Sequence, residues 1–273
     1  MSRTSKYFRS FSSNIPGFIT DSIVFNLINI PMYIAAYFLA NKFMPLLGGD
    51  FTVDAMHKLM TGGGFLPNEA FSSPEKVYML FSVLCAFVFV MSGLFCLTPF
   101  ECGFNHFFRN VRRGNSKGFA VDFKTGIKNN IKQSVFSWIT CLIVSTLCLG
   151  GIFYFHSSST VVTVILIVVL IIFALIQNMV SQMIVSRQLK LSDMYKNAFI
   201  FFIMRPFSWV LLAALIALIT FIIPFVLLMT GTYAGIIVFA LVYGLLAAAL
   251  IRYIPAFFTG ELLEQYQEVK KDA

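Results

Sequence analysis

Apolar residues dominate six segments of the chain, and none of these segments contains Lys, Arg, Asp or Glu. The segments are Ile23–Ala40, Val77–Leu97, Val135–Phe155, Val161–Ile184, Trp209–Met229 and Tyr233–Ile251. A helix needs about 17–25 mostly apolar residues to cross the hydrocarbon core of a bilayer. The pattern therefore predicts an all-α, polytopic membrane protein, with six transmembrane helices in three hairpins and a single membrane domain over residues 1–273.

The connections between these segments differ in length and pattern. Residues 41–76 form a long outer loop in the first hairpin, whereas residues 156–160 and 230–232 are short outer turns in the other two. On the opposite side, apolar and basic residues alternate with helical spacing, which predicts amphipathic helices at the membrane interface. One predicted helix has Phe104, Phe107 and Phe108 beside Arg109, Arg112 and Arg113, and the next carries Lys124, Lys128 and Lys132 beside an apolar stripe.

Two parts of the chain are similar in pattern. Phe136-Ser137-Trp138 opens the third segment, Phe207-Ser208-Trp209 opens the fifth, and Asp122 and Asp193 precede them at the same spacing. The match predicts a parallel repeat of residues 122–184 and 193–254. The alternative is that Trp is favoured wherever a helix enters a membrane.

Charge adds an orientation to this pattern. Of the 20 Lys and Arg residues, all but Lys42, Lys58 and Lys76 fall on one predicted side of the membrane. Positive charge stays cytoplasmic, so both termini are predicted to lie inside a plasma membrane whose inner leaflet is anionic. The net charge of +8 is thereby explained by topology, and the basic residues form no element that would read nucleic acid.

Five amides are the candidate polar pathway. Asn26 and Asn29 precede Pro31 in the first segment, and Gln177, Asn178 and Gln182 lie in the fourth. Uncharged amides can line a path for an uncharged solute, or they can join helices by hydrogen bonds inside the membrane. Both interpretations stay open at the level of sequence.

No catalytic, cofactor-binding or metal-binding motif is present, and a non-enzymatic protein is predicted. The cysteines lack the spacing of a zinc site, and no nucleophile lies beside a base. The predicted spans also lack the buried acids and bases on which ion-coupled transporters depend. Asp21 is expected to cap the first helix, and Glu101 is expected to pair with Arg109 or another basic neighbour.

Several of these motifs resemble the YesL-like family of bacterial membrane proteins. The resemblance rests on the basic turn Arg112-Arg113-Gly114, on the stretch Phe123–Gln133 with its Lys and Asn residues, and on Lys196-Asn197-Ala198-Phe199. That family has no assigned biochemical activity and is associated with carbohydrate-uptake systems of Gram-positive bacteria. The resemblance implies an accessory or regulatory protein with ABC transporter subunits as partners, and the alternative is a small permease or channel for an uncharged solute.

The predicted orientation is tested by labelling. Single cysteines are placed at Ser73 and Ser116 in a background without exposed thiols. In intact cells the two positions are expected to differ in how much reagent they bind. An impermeant thiol reagent should label position 73, on the outside, and spare position 116, because positive charge holds the latter inside. The opposite result would invert the topology.

Overall fold

A computed structural model describes residues 3–43, 74–186, 189–229 and 233–271, and within them all regular structure is helical. The helices are α1 (Arg3–Ser12), α2 (Ile15–Ile28), α3 (Ile30–Phe43), α4 (Pro74–Met91), α5 (Thr98–Arg113), α6 (Phe119–Phe155), α7 (Thr160–Ser186), α8 (Leu191–Met204), α9 (Pro206–Ala217), α10 (Ile223–Met229), α11 (Tyr233–Val242) and α12 (Ala248–Lys271). The predicted all-α class is confirmed. Most of the predicted outer loop lies outside the described residues.

Four helical stretches are long and apolar enough to cross a membrane: Phe119–Phe155, Thr160–Ser186, Pro206–Leu227 and Ile237–Glu264. A fifth crossing is provided if the bent pair Ile15–Ile28 and Ile30–Lys42 acts as one span. The apolar helix Tyr78–Met91 is shorter than these. A multi-pass membrane protein is therefore compatible with the fold, and the predicted six spans in three hairpins are not established by it.

The first predicted span is not one straight helix. α2 ends at Ile28, α3 begins at Ile30, and their axes differ by 60°. Pro31 has no backbone N–H, so the carbonyl one turn earlier loses its partner and the helix breaks there. α2 also begins at Ile15, eight residues before the predicted start at Ile23. Asp21 consequently lies inside this helix and does not cap it.

The second predicted span is shorter than its apolar sequence. α4 ends at Met91, and a turn with Gly93 at φ 78° follows before α5 begins at Thr98. Glycine adopts this left-handed conformation without the penalty that a Cβ imposes. The helix therefore ends inside the segment Val77–Leu97, for which periodicity predicts one continuous helix.

The second predicted interfacial helix and the third span are one element. α6 runs without interruption for 37 residues from Phe119 to Phe155. Its sequence contains no proline, and Gly118, at φ 104°, marks the turn that precedes it. The charged part with Lys124, Lys128 and Lys132 is thus a rigid extension of a membrane helix rather than a separate element lying on the bilayer.

Two π-helical segments interrupt the last two apolar stretches. Leu218–Ile222 separates α9 from α10, and Tyr243–Ala247 separates α11 from α12. The first segment directly precedes Pro224, whose missing N–H disturbs the regular ladder of hydrogen bonds. Such single π turns occur frequently at functional sites.

Tight packing is concentrated at one end of the bundle, called here the basic end. It is built from α1, α2, α5, the first turns of α6, the last turns of α7, and α12 from Arg252 onward. The opposite half exposes large apolar side chains on α6 and α7, among them Leu147, Val161 and Ile165. Those side chains have the composition of a lipid-facing surface.

α5 and α6 approach closely because two glycines face each other. A Cβ at Gly126 would lie 2.6 Å from the carbonyl oxygen of Cys102 and 2.9 Å from the Cα of Gly103. A Cβ at Gly103 would lie 2.8 Å from the carbonyl oxygen of Phe123. These neighbours are backbone atoms that cannot move aside easily, so the crossing of the two helices requires glycine at both positions.

Gly126→Ala is therefore expected to destabilise the protein by about 1–3 kcal/mol, the usual cost of overpacking. Gly150→Ala is the matched control in the same helix, since nothing lies within 4 Å of its added Cβ. It should leave stability unchanged or raise it by up to about 1 kcal/mol, because Ala favours helices over Gly. Unfolding in a mixed-detergent titration measures both. Equal stability of the two variants would contradict the close crossing.

Candidate functional site

The first pair of candidate amides joins helices. Asn26 donates from Nδ2 to the carbonyl of Gly244, 3.1 Å away, and accepts from the Tyr33 hydroxyl at 2.9 Å. Asn29 is buried at the break between α2 and α3, where its Oδ1 accepts the backbone N–H of Leu97 at 2.7 Å. Both amides satisfy backbone groups that helix irregularities leave free, in the π segment and before α5.

The second group of amides is divided among different surroundings. Gln177 is buried, donates to the Ser137 hydroxyl at 2.9 Å and accepts from the Tyr195 hydroxyl at 2.7 Å. Asn178 donates to the carbonyl of Ala174 in its own helix and lines an apolar cavity. Gln182 lines a separate small cleft beside Glu264.

The five amides therefore do not converge on one cavity. Asn26 borders a cavity between α2, α3, α4 and α11, whereas Asn178 and Gln182 border two others. Asn26, Asn29 and Gln177 make hydrogen bonds between helices, the arrangement expected of groups that hold a bundle together.

The predicted aromatic surface is buried. Phe104, Phe107 and Phe108 are each 1% exposed and pack with Phe18 and Tyr253 in the core of the basic end. This corrects the expectation that the stripe lies on an interface open to lipid or a partner. The apolar spacing was recognised, but periodicity alone cannot distinguish a helix face covered by lipid from one covered by α1, α2 and α12.

The three arginines of α5 are mostly engaged within the protein. Arg112 is buried and forms a two-pronged ion pair with Glu264, with N–O distances of 2.6 and 2.9 Å. Arg113 contacts the same carboxylate from its Nε at 3.0 Å. Arg109 donates to the carbonyl of Val185 at 2.8 Å. These contacts fasten α12 and the end of α7 to α5.

The lysines of α6 are exposed. Lys124, Lys128 and Lys132 lie along the charged extension of this helix. They are the part of the predicted partner or lipid surface that the fold leaves free to meet another molecule.

A buried ionic cluster was not foreseen. Arg252 donates from Nη1 to Asp21 Oδ2 at 3.1 Å, and its guanidinium carbon lies 3.9 Å from the ring centre of Phe25 and 4.2 Å from that of Phe104. Asp21 is fully buried. Sequence reasoning placed Arg252 just beyond the last span, but α12 continues through it, so the charge lies inside the bundle.

An apolar cavity of about 410 Å³ borders this cluster. Arg252, Asn178 and Thr220 are its main polar lining, and Thr220 Oγ1 has no hydrogen-bond partner among the described residues. Glu101 accepts a hydrogen bond from the Cys96 thiol at 3.5 Å. Of the expected basic neighbours, Arg109 or another, it is Arg252 that acts on its charge. Burial raises the pKa of the Glu101 carboxyl, and Arg252 opposes that shift.

Comparisons with protein-family models, with curated proteins and with solved structures found no match. The resemblance to the YesL-like family therefore stays a prediction. Within the described residues no cluster of His, Cys, Asp and Glu could hold a metal ion.

The ion pair yields a prediction for stability. Arg252→Gln should cost about 3–5 kcal/mol, because it leaves the carboxylate of Asp21 buried without a cation. Asp21→Asn should be destabilising as well, since it leaves the guanidinium unpaired. The double variant Asp21→Asn/Arg252→Gln is expected to lose less free energy of unfolding than the two single variants lose together. Unfolding in a detergent titration measures all three. Strictly additive losses would show that the two groups are not coupled.

Proposed function

We propose that this protein is a non-enzymatic, multi-pass accessory or regulatory protein of the plasma membrane, with both termini cytoplasmic. Six crossings in three hairpins are part of the proposal, which requires the bent α2–α3 pair and α4 each to count as one. The proposed partners are subunits of an ABC transporter for carbohydrate uptake, as the family resemblance implies. The proposed contact surface is the charged extension of α6.

The exposed lysine row carries this proposal. A 37-residue helix extends a cationic end, with Lys124 and Lys128 exposed, away from the apolar half of the bundle. α6 is held rigidly because Gly126 fits against α5 and because Asp122 accepts hydrogen bonds from Asn110 and Ser116. A fixed row of like charges favours association with an acidic protein surface.

The arrangement of the amides supports the same choice. A solute path requires polar groups that line one continuous cavity. Asn26, Asn178 and Gln182 instead border three separate cavities. Asn26, Asn29 and Gln177 bond neighbouring helices. Their number in the apolar segments is explained by helix association.

A small permease is the second candidate, favoured by the cavity beside Arg252. Buried ionisable groups within membrane helices often mark substrate pathways. Here Asp21 is fully buried and the side chain of Arg252 is 9% exposed. Asn178 and Thr220 offer polar groups to an uncharged solute.

Two variants separate the candidates. Lys124→Glu/Lys128→Glu reverses exposed charges that line none of the cavities described above, and Asn178→Leu removes a polar group from the cavity beside Arg252. Each tagged protein is purified from its host in mild detergent. The wild-type protein and Asn178→Leu are expected to retain carbohydrate ABC subunits. The lysine variant should lose them, because like charges then face an acidic partner. Mass spectrometry of the purified material gives the readout.

The reverse pattern would overturn the accessory role. Uptake of an uncharged sugar by proteoliposomes holding this protein alone, abolished by Asn178→Leu and kept in the lysine variant, would establish the permease. Thermal unfolding of all proteins controls for loss of fold.

A further inference from the structure

A polar cleft of about 850 Å³ opens at the basic end between α5, α6 and the end of α7. Side chains with positive charge or amide groups dominate its lining: His106, Arg109, Lys132, Lys190, Asn129 and Gln133. No acidic residue is among the described residues that line it. The described residues of the wall therefore contribute three formal positive charges, from Arg109, Lys132 and Lys190, and no carboxylate.

The walls of the cleft are fixed by hydrogen bonds to the backbone. Arg109 Nη1 donates to the carbonyl of Val185 at 2.8 Å, and Gln133 Nε2 donates to that of Leu189 at 2.9 Å. The Nε of Arg109 is buried and has no hydrogen-bond partner among the described residues. A buried donor without a partner is costly, and it leaves the Arg109 guanidinium with unused hydrogen-bonding capacity beside the cleft.

The acid beside His106, Asp122, is already satisfied by hydrogen bonds. Asp122 accepts hydrogen bonds from Asn110 at 2.8 Å and from Ser116 at 2.7 Å, and it is buried. Asn110 also lies 3.3 Å from Nδ1 of His106, so the histidine ring is held at the wall. Burial lowers the pKa of His106, although Asp122 opposes that shift, and a neutral ring can still offer one N–H to a ligand.

The position of the cleft relates it to the membrane. Phe136, Ile139 and Ile143 follow Lys132 at four, seven and eleven residues, so they share its helix face, and all three are more than 40% exposed. The cleft therefore lies where the cationic part of α6 meets its lipid-facing part. Basic pockets at this level of membrane proteins bind the headgroups of anionic lipids.

We propose that the cleft binds a phosphate group carried on a larger molecule, and its position favours the headgroup of an anionic phospholipid whose chain lies along Phe136 and Ile139. Arg109 offers a planar, fixed set of donors, which suits phosphate oxygens, and Lys132 and Lys190 add mobile charges at the rim. The volume exceeds what a bare phosphate ion needs. Lys132 also belongs to the surface in the proposed function, and to that extent the inference rests on it.

Binding is tested with the full-length protein in detergent by native mass spectrometry. The probes are phosphatidylglycerol, phosphatidylcholine of the same chain length, and soluble sn-glycerol 3-phosphate. Wild type is expected to bind phosphatidylglycerol in preference to phosphatidylcholine. Lys132→Gln/Lys190→Gln should weaken that binding about fivefold for each lysine removed, since a basic residue near an anionic surface contributes about 1 kcal/mol.

Lys124→Gln/Lys128→Gln is the matched control, because it removes the same charge from the same end of the protein without touching the cleft. It should leave binding within about twofold of wild type, because neither lysine would contact the phosphate. Arg109→Gln is a second cleft variant, and its thermal unfolding is compared with wild type because the Val185 contact is lost.

Tight binding of glycerol phosphate with weak binding of phosphatidylglycerol would keep the phosphate site and assign it to a soluble ligand. Equal losses of phosphatidylglycerol affinity in the cleft variant and the control pair would overturn the site. Diffuse surface charge would then account for the binding. Equal affinity for the two lipids would overturn the site as well. These outcomes differ from those for the proposed function, which depends on Lys124 and Lys128 and on retention of protein subunits.

Discussion

The contact between Arg252 and Asp21 organises the basic end of this protein. A buried guanidinium is costly to desolvate, and here a carboxylate 3.1 Å away and the faces of Phe25 and Phe104 compensate for the lost water. Because these partners come from α2, α5 and α12, the charge can be buried only when all three helices are in place. The ion pair therefore couples the packing of segments far apart in sequence, and Arg112 with Glu264 repeats the coupling one layer further along α12.

Helix breaks place the polar groups where they are satisfied. Asn29 sits at the bend before Pro31 and accepts the N–H of Leu97, which precedes α5. The π segment around Gly244 presents a carbonyl to Asn26. In an apolar solvent an unpaired backbone group is expensive, so each irregularity needs a side chain nearby. Asn26 and Asn29 occupy those places, whereas Gln177 bonds the side chains of Ser137 and Tyr195. Such separate structural roles do not favour a common solute path.

Exposed charge and buried charge have separate roles in this fold. Arg112 is buried, the side chain of Arg252 is only 9% exposed, and both hold helices together, whereas Lys124 and Lys128 are exposed on a rigid helix. Between these two sets lies the cleft with Arg109, whose Nη1 donates to the carbonyl of Val185 and whose buried Nε has no hydrogen-bond partner among the described residues. Substitutions of basic residues should thus affect stability, partner contact or anion binding, depending on which set they belong to.

The sequence by itself determined the helical class, the apolar segments and the concentration of basic residues in alternate connections, because these depend on local composition and on the cost of charge in lipid. Only the tertiary structure decided the bend at Asn29, the burial of Phe104, Phe107 and Phe108, and the pairing of Asp21 with Arg252. Periodicity identifies which residues share a helix face, but it carries no information about what covers that face. Asp21 and Arg252 are 231 positions apart, so only the assembled bundle brings them together.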